Sequence, residues 1–188
     1  MCIKTGRQLN VLQRLKGSLD QDSRMAIYKS FIMSNFNYCP VVWMFTSKKS
    51  LSQLESIQKR ALRFVLNDYI SDYHDLVKKA CVPGIKIMTL RYLAIEVFKC
   101  VNTINPVYLN DIFRIKKCSY AFRDGSRLER PIVKLTQYGL KSFKSYGAHI
   151  WNMLPKLFKN VISLNELKEL IKSWNGPKCI CSVCDLYT

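Results

Sequence analysis

Acidic residues are scarce in this chain: 13 Asp and Glu stand against 30 Lys and Arg in 188 residues, a formal net charge of +17. Glycine and proline are few as well, 7 and 6, which excludes fibrous and low-complexity classes. Only two histidines occur, His74 and His149, and neither has a partner at the i, i+4 spacing of a helical metal pair. There is no Gly-rich phosphate loop, no Gly-x-Ser-x-Gly elbow and no adjacent pair of acids; the nearest pairs are Asp20/Asp22 and Asp72/Asp75. Asp72 and Asp75 read as the acidic first turn of a helix, where the helix dipole favours them, rather than as metal ligands. The chain by itself therefore shows no catalytic residues. Nothing approaches the ~18 consecutive apolar residues of a spanning helix, and the opening MCIKTGRQLN has charges but no apolar signal-peptide core. Nucleus or cytoplasm, not secretion, is the expectation, with no membrane partner.

What is present is core material, with 48% hydrophobic and 12% aromatic residues, enough for one substantial packed domain. The positive charge is uneven. Residues 1–70 carry eleven basic against four acidic residues, and residues 112–160 carry eleven against two. Between them, residues 71–111 are nearly neutral, with five against four. Two basic blocks around a neutral one suit surfaces that face a polyanion, with nucleic acid the leading partner. The competing account is that high charge only aids solubility.

Helical periodicity dominates the first two thirds and predicts a mainly α fold. Helices are expected over about Arg7–Lys16, from a cap at Asp20 or Asp22 through SRMAIYKSFIMSNF, from Ser47 or Ser50 to Leu66, over Asp72–Ala80 and over Ile87–Thr103. The apolar run VVWMF, Val41 to Phe45, fits either a buried helix or a short extended segment. Helical spacing starts almost at once, at Leu9, Leu12 and Leu15, as expected of a piece trimmed from something longer. Residues 114–130, RIKKCSYAFRDGSRLER, read as an exposed basic loop, and Pro131–Gln137 as a strand or extended arm. Two more helices follow, over about Leu140–Leu154 and Ser163–Trp174, the latter opened by a capping box at Ser163 and Glu166. Three segments result: residues 1–113, a helical bundle; residues 114–175, a basic loop with two helices; and residues 176–188, a Cys-rich tail.

The stretch QLESIQKRALRFV poses the functional question. On a helical wheel Leu51, Leu54, Ile57, Ala61, Leu62, Phe64 and Val65 share an arc of about 160°. Lys48, Lys49, Lys59, Arg60 and Arg63 share a separate arc of about 120°, with Glu55 at its edge. Three accounts fit: an ordinary solvated face, a membrane-surface helix, and a helix whose cations meet phosphates. In the second basic block, Arg123, Arg127 and Arg130 lie among Tyr120, Phe122, Tyr138 and Lys141. That mixture suits contact with unpaired nucleotides, or equally a loop anchored by its aromatics.

The eight cysteines do not form a disulfide framework, and most sit among apolar residues as small hydrophobes. Cys179, Cys181 and Cys184 are the exception. Structural zinc takes four N or S ligands, and this tail supplies three within six residues. A fourth would come from Cys118, His149 or another chain. Zinc at this tail is one expectation, and an oxidation-prone reduced tail is the other.

The order of several segments resembles the C-terminal part of non-LTR retrotransposon reverse transcriptases, the LINE-like and jockey-like RNA-directed DNA polymerases. The matching pieces are SRMAIYKSFIMSNFNYCPVVW, LSQLESIQKRALRFV with its LExIQxxALR pattern, and NPVYLNDIF. They continue with FRDGSRLERPIVKLTQYGLKSFKSYGAHIWNMLP with its WNxLP pattern, SLNELKELIKSW and CICSVC. The resemblance implies a thumb-like helical bundle downstream of a catalytic palm. The aromatic-x-Asp-Asp turn that would hold the catalytic metals is absent from this chain. It further implies that Lys48, Lys49, Lys59, Arg60 and Arg63 face the phosphates of an RNA or RNA/DNA template–primer duplex. The upstream polymerase region would be a second partner. A stand-alone helical interaction protein, or a decayed element without activity, is the alternative.

Overall fold

A computed structural model of the chain describes residues 1–116, 126–177 and 179. The architecture is mainly α, and the only β-pairing among the described residues is one isolated antiparallel bridge. The chain divides into two compact units, Met1–Met88 and Thr89–Thr188.

In the first unit α1 spans Cys2–Arg14, α2 Gln21–Ile27, a π-helical turn Tyr28–Met33, α3 Ser34–Asn37, α4 Pro40–Trp43, α5 Lys48–Leu66 and α6 Tyr73–Lys79. α1 starts earlier than its apolar spacing predicts. Thr5 faces inward, and its hydroxyl donates to the Met1 carbonyl at 3.1 Å, which closes the first turn. The ambiguous run Val41 to Phe45 is helical only as far as Trp43 and then turns; Pro40 holds the first helical position, where its missing N–H costs nothing, and Val42 is exposed.

α5 is the hub: α1, α2, the π-helical turn and α6 all pack on it. It begins at Ser47, whose side chain accepts the Ser50 amide at 3.2 Å, and it ends at Asn67 in the left-handed region. Every residue assigned to its apolar arc is buried, and so is Gln58, which lies within that arc. The Gln58 amide nitrogen donates to the Tyr28 hydroxyl at 3.1 Å and to the Pro83 carbonyl at 3.0 Å. Its oxygen accepts from the Tyr73 hydroxyl at 2.5 Å, and that hydroxyl in turn accepts the Ile85 amide at 3.2 Å. Burial pushes the Tyr28 phenol up to about 12. At the other end of α5, a guanidinium nitrogen of Arg24 donates to the Phe64 carbonyl at 2.9 Å. A cation thus satisfies one of the final carbonyls of the helix, at its negative pole.

The division between the units falls inside α7, Ile85–Val101. The second unit continues with α8, Val107–Asn110; α9, Phe143–Met153; α10, Lys156–Lys159; and α11, Leu164–Leu170, extended by a 3-10 turn over Ile171–Ser173. α9 approaches α7 closely at Gly147, where a Cβ would lie 2.9 Å from Phe113 and 3.0 Å from Val97. Phe113 also meets Phe143 edge-on, with ring centroids 5.2 Å apart. Arg91 of α7 donates to the Trp174 carbonyl at 2.8 Å, fastening the segment after α11. His149 is buried beside the Tyr146 ring. Burial, and then the charge of Arg130, lower its pKa.

Two expectations change here. Pro131–Gln137 forms no strand: residues 131–135 run without helix or strand, with Ile132 fully exposed, and a π-helical turn begins at Thr136 and ends at Leu140. The Ser163 hydroxyl accepts from the Asn165 amide at 3.3 Å, so Ser163 caps α11 without the reciprocal box expected with Glu166.

Gln58→Leu keeps the volume but removes one hydrogen-bond partner each from the Tyr28 and Tyr73 hydroxyls and from the Pro83 carbonyl. It should destabilise the fold by about 2–4 kcal/mol, read as a lower urea midpoint. An unchanged midpoint would make the network dispensable. His149, with its folded pKa depressed below 6.5, contributes stability above pH 6.5 that is lost as pH falls, because the unfolded chain takes up the proton more readily. Melting temperatures from pH 7 to pH 5 should therefore decline less in His149→Gln than in the parent.

Candidate nucleic-acid interface

The outer arc of α5 differs residue by residue. Lys48 and Lys49, in its first turn, are exposed and have no hydrogen-bond or ion-pair partner among the described residues. Arg60 is exposed, and its guanidinium donates to the Asn10 side chain on α1 at 2.9 Å. Lys59 is only 30% exposed along its side chain and pairs with the Asp72 carboxylate at 2.7 Å. Arg63 is half-buried, and its Nε is buried without a partner among the described residues. Glu55, at the edge of the basic arc, lies 3.8 Å from the Lys86 ammonium. The five cations predicted to face phosphates therefore differ: Lys48, Lys49 and Arg60 are open to solvent, Lys59 is paired with a carboxylate, and Arg63 is half-buried.

The Arg60–Asn10 bond adds residues that sequence reading missed. Arg7 and Arg14, seven residues apart, lie on one stripe of α1 with Asn10 between them, and both are exposed. The stripe of α1 and the basic arc of α5 meet where Asn10 receives Arg60. Their spacing was available as a signal, but the predicted helix began at Arg7 and gave that residue no face.

In the second unit the single bridge pairs Ile115 with Leu128. Lys116 N–H donates to the Arg127 carbonyl and Glu129 N–H to the Arg114 carbonyl, both at 2.8 Å. α9 holds this short ribbon. The Asn152 side chain accepts the Leu128 amide at 2.8 Å and donates to the Leu128 carbonyl at 2.9 Å. The Trp151 indole donates to the Ser126 carbonyl at 2.9 Å. Leu128 is thereby buried, and its neighbours along the pleat, Arg127 and Glu129, are exposed opposite Lys116 and Arg114, which are also exposed. Arg130, just beyond, is exposed as well. The Trp-Asn of WNxLP thus clamps a basic ribbon to α9.

Arg123, Tyr120 and Phe122 lie outside the described residues, as do Cys118, Cys181, Cys184 and the side chain of Tyr138. Cys179 is half-buried. Among the described residues no three His, Cys, Asp or Glu side chains converge to hold a metal ion. No described helix is long and apolar enough to cross a membrane. Compared with protein-family models, with curated proteins and with solved structures, the chain gives no match.

Asn152→Ala should release both backbone groups of Leu128 while leaving α9 intact. Amide exchange at Leu128 and Glu129 is expected to accelerate by about tenfold or more, with little change in the α5 amides. Equal protection in the variant would mean that the ribbon holds its place without the clamp.

Proposed function

We propose that this chain binds RNA or an RNA/DNA duplex through backbone phosphates. It would do so as the thumb and downstream part of an RNA-directed DNA polymerase of the non-LTR retrotransposon type, without polymerase activity of its own. The observation that carries this reading is the two-sided character of α5. Its apolar arc is locked into the core, while Lys48, Lys49 and Arg60 stand in solvent, and Arg60 reaches Asn10 between the arginines of α1. Cations carried on packed helices suit a repeating anion, because little backbone freedom remains to be lost on contact. Recognition of this kind reads charge and backbone geometry, not bases. The basic ribbon at Arg114, Lys116, Arg127 and Arg130 supplies a second set of exposed cations, and the upstream polymerase region would supply the chemistry.

The alternative, a helical interaction module, draws on exposed apolar side chains such as Tyr38 and Val42. It predicts weak association with nucleic acid and no dependence on the α5 cations. The two part on salt. With Lys48, Lys49 and Arg60 all changed to Gln, the slope of log affinity against log salt for duplex RNA should become shallower by about two units, at ~0.7–0.9 per lost phosphate contact. An unchanged slope would take α5 out of the interface and leave the interaction reading.

A further inference from the structure

Lys59 and Arg63 sit one turn apart on α5, with Arg60 between them in sequence. Neither side chain is as open as Lys48 or Lys49, and a carboxylate from α6 stands over them. The Asp72 Oδ1 is 2.7 Å from the Lys59 ammonium, and its carboxylate also feels the Arg63 charge. Asp72 itself is 75% exposed, so it is not buried as a core ion pair. Arg63 meanwhile keeps a buried Nε with no acceptor among the described residues. Lys59 thus holds the exposed carboxylate, while Arg63, one turn on, has no ion-pair partner among the described residues. A group with more oxygens than a carboxylate, spread tetrahedrally, could serve the Lys59 ammonium and the outer N–H groups of the Arg63 guanidinium together.

We propose that Lys59 and Arg63 form a phosphate subsite that the Asp72 carboxylate fills in the free protein, and that a phosphodiester or pyrophosphate group displaces it. The subsite deepens the reading of α5 as a phosphate-facing helix and rests on that reading for its natural ligand. The subsite's chemistry stands on its own. Asp72 is the N-cap residue of α6 and makes no side-chain capping bond there. Asp72→Asn keeps a favourable cap residue while removing the competing charge. Asp75, three residues on in the same helix, is exposed and has no bonded partner among the described residues. Asp75→Asn therefore makes the same charge change at a site that blocks nothing.

The test titrates inorganic pyrophosphate into the full chain, following backbone amides of α5 and α6 by NMR, and repeats the titration with duplex RNA. Asp72→Asn is expected to bind pyrophosphate about fivefold more tightly than the parent, and Asp75→Asn within about twofold of it. Adding Lys59→Ala to Asp72→Asn should abolish the gain. With RNA, Asp72→Asn should gain a similar factor and steepen the salt slope by ~0.7–0.9. Should the Asn variant fail to fold, Asp72→Ser offers an equally good cap without the charge. Equal gains in the Asp72 and Asp75 variants would reduce the effect to net charge and overturn the subsite. A pyrophosphate gain without RNA binding would keep the subsite and overturn the proposed function. RNA binding with no gain from Asp72→Asn in either titration would do the reverse.

Discussion

One buried amide organises the first unit. Gln58 projects from within the apolar arc of α5, where an unsatisfied polar group would cost about 1–3 kcal/mol. It escapes that cost only because three separate pieces of chain converge on it: Tyr28 from the π-helical turn, Tyr73 from α6, and the Pro83 carbonyl ahead of α7. Apolar packing alone would tolerate a range of helix rotations around α5. Hydrogen bonds with a fixed direction tolerate far fewer, so the network sets the position of α6, and with it the place where Asp72 meets Lys59.

This arrangement ties core and surface to the same helix. A 19-residue helix with one face in the core cannot rotate to present its cations differently. Adaptation at the surface has to come from neighbouring side chains. The neighbours have divided the basic arc: Asn10 orients Arg60, Asp72 engages Lys59, and the first-turn lysines stay open. Exposed ion pairs of this kind contribute little to stability, about 0–1 kcal/mol. The Asp72 pair is better understood by what it occupies than by what it holds together.

Much of this could be read from the sequence, and the failures have physical causes. The apolar arc of α5, its start at one of two serines and the helical class all follow from periodicity and capping chemistry. Gln58 was legible as a polar residue inside an apolar arc, although its partners, 30 residues upstream and 15 and 25 downstream, were not. Lys59 looked like every other cation on its face, because Asp72 reaches it across a turn 13 residues away. The ribbon was hidden for a similar reason. Ile115 and Leu128 are isolated apolar residues in charged sequence, and the group that pairs Leu128 is an Asn 24 residues downstream. Local pattern reports what a segment prefers, and long-range hydrogen bonds decide what it does.

Gly147 carries a consequence for how this chain can drift. The space a methyl group would need at position 147 is already held by the ring of Phe113 and a methyl of Val97. The three positions share one fixed volume, so their substitutions are not independent. A larger residue at 147 becomes tolerable only after 113 or 97 has shrunk, and a smaller residue at 113 leaves a void until 147 grows into it. Sequence change in this part of the second unit is therefore ordered in time: compensation at one position has to precede, or closely follow, change at another.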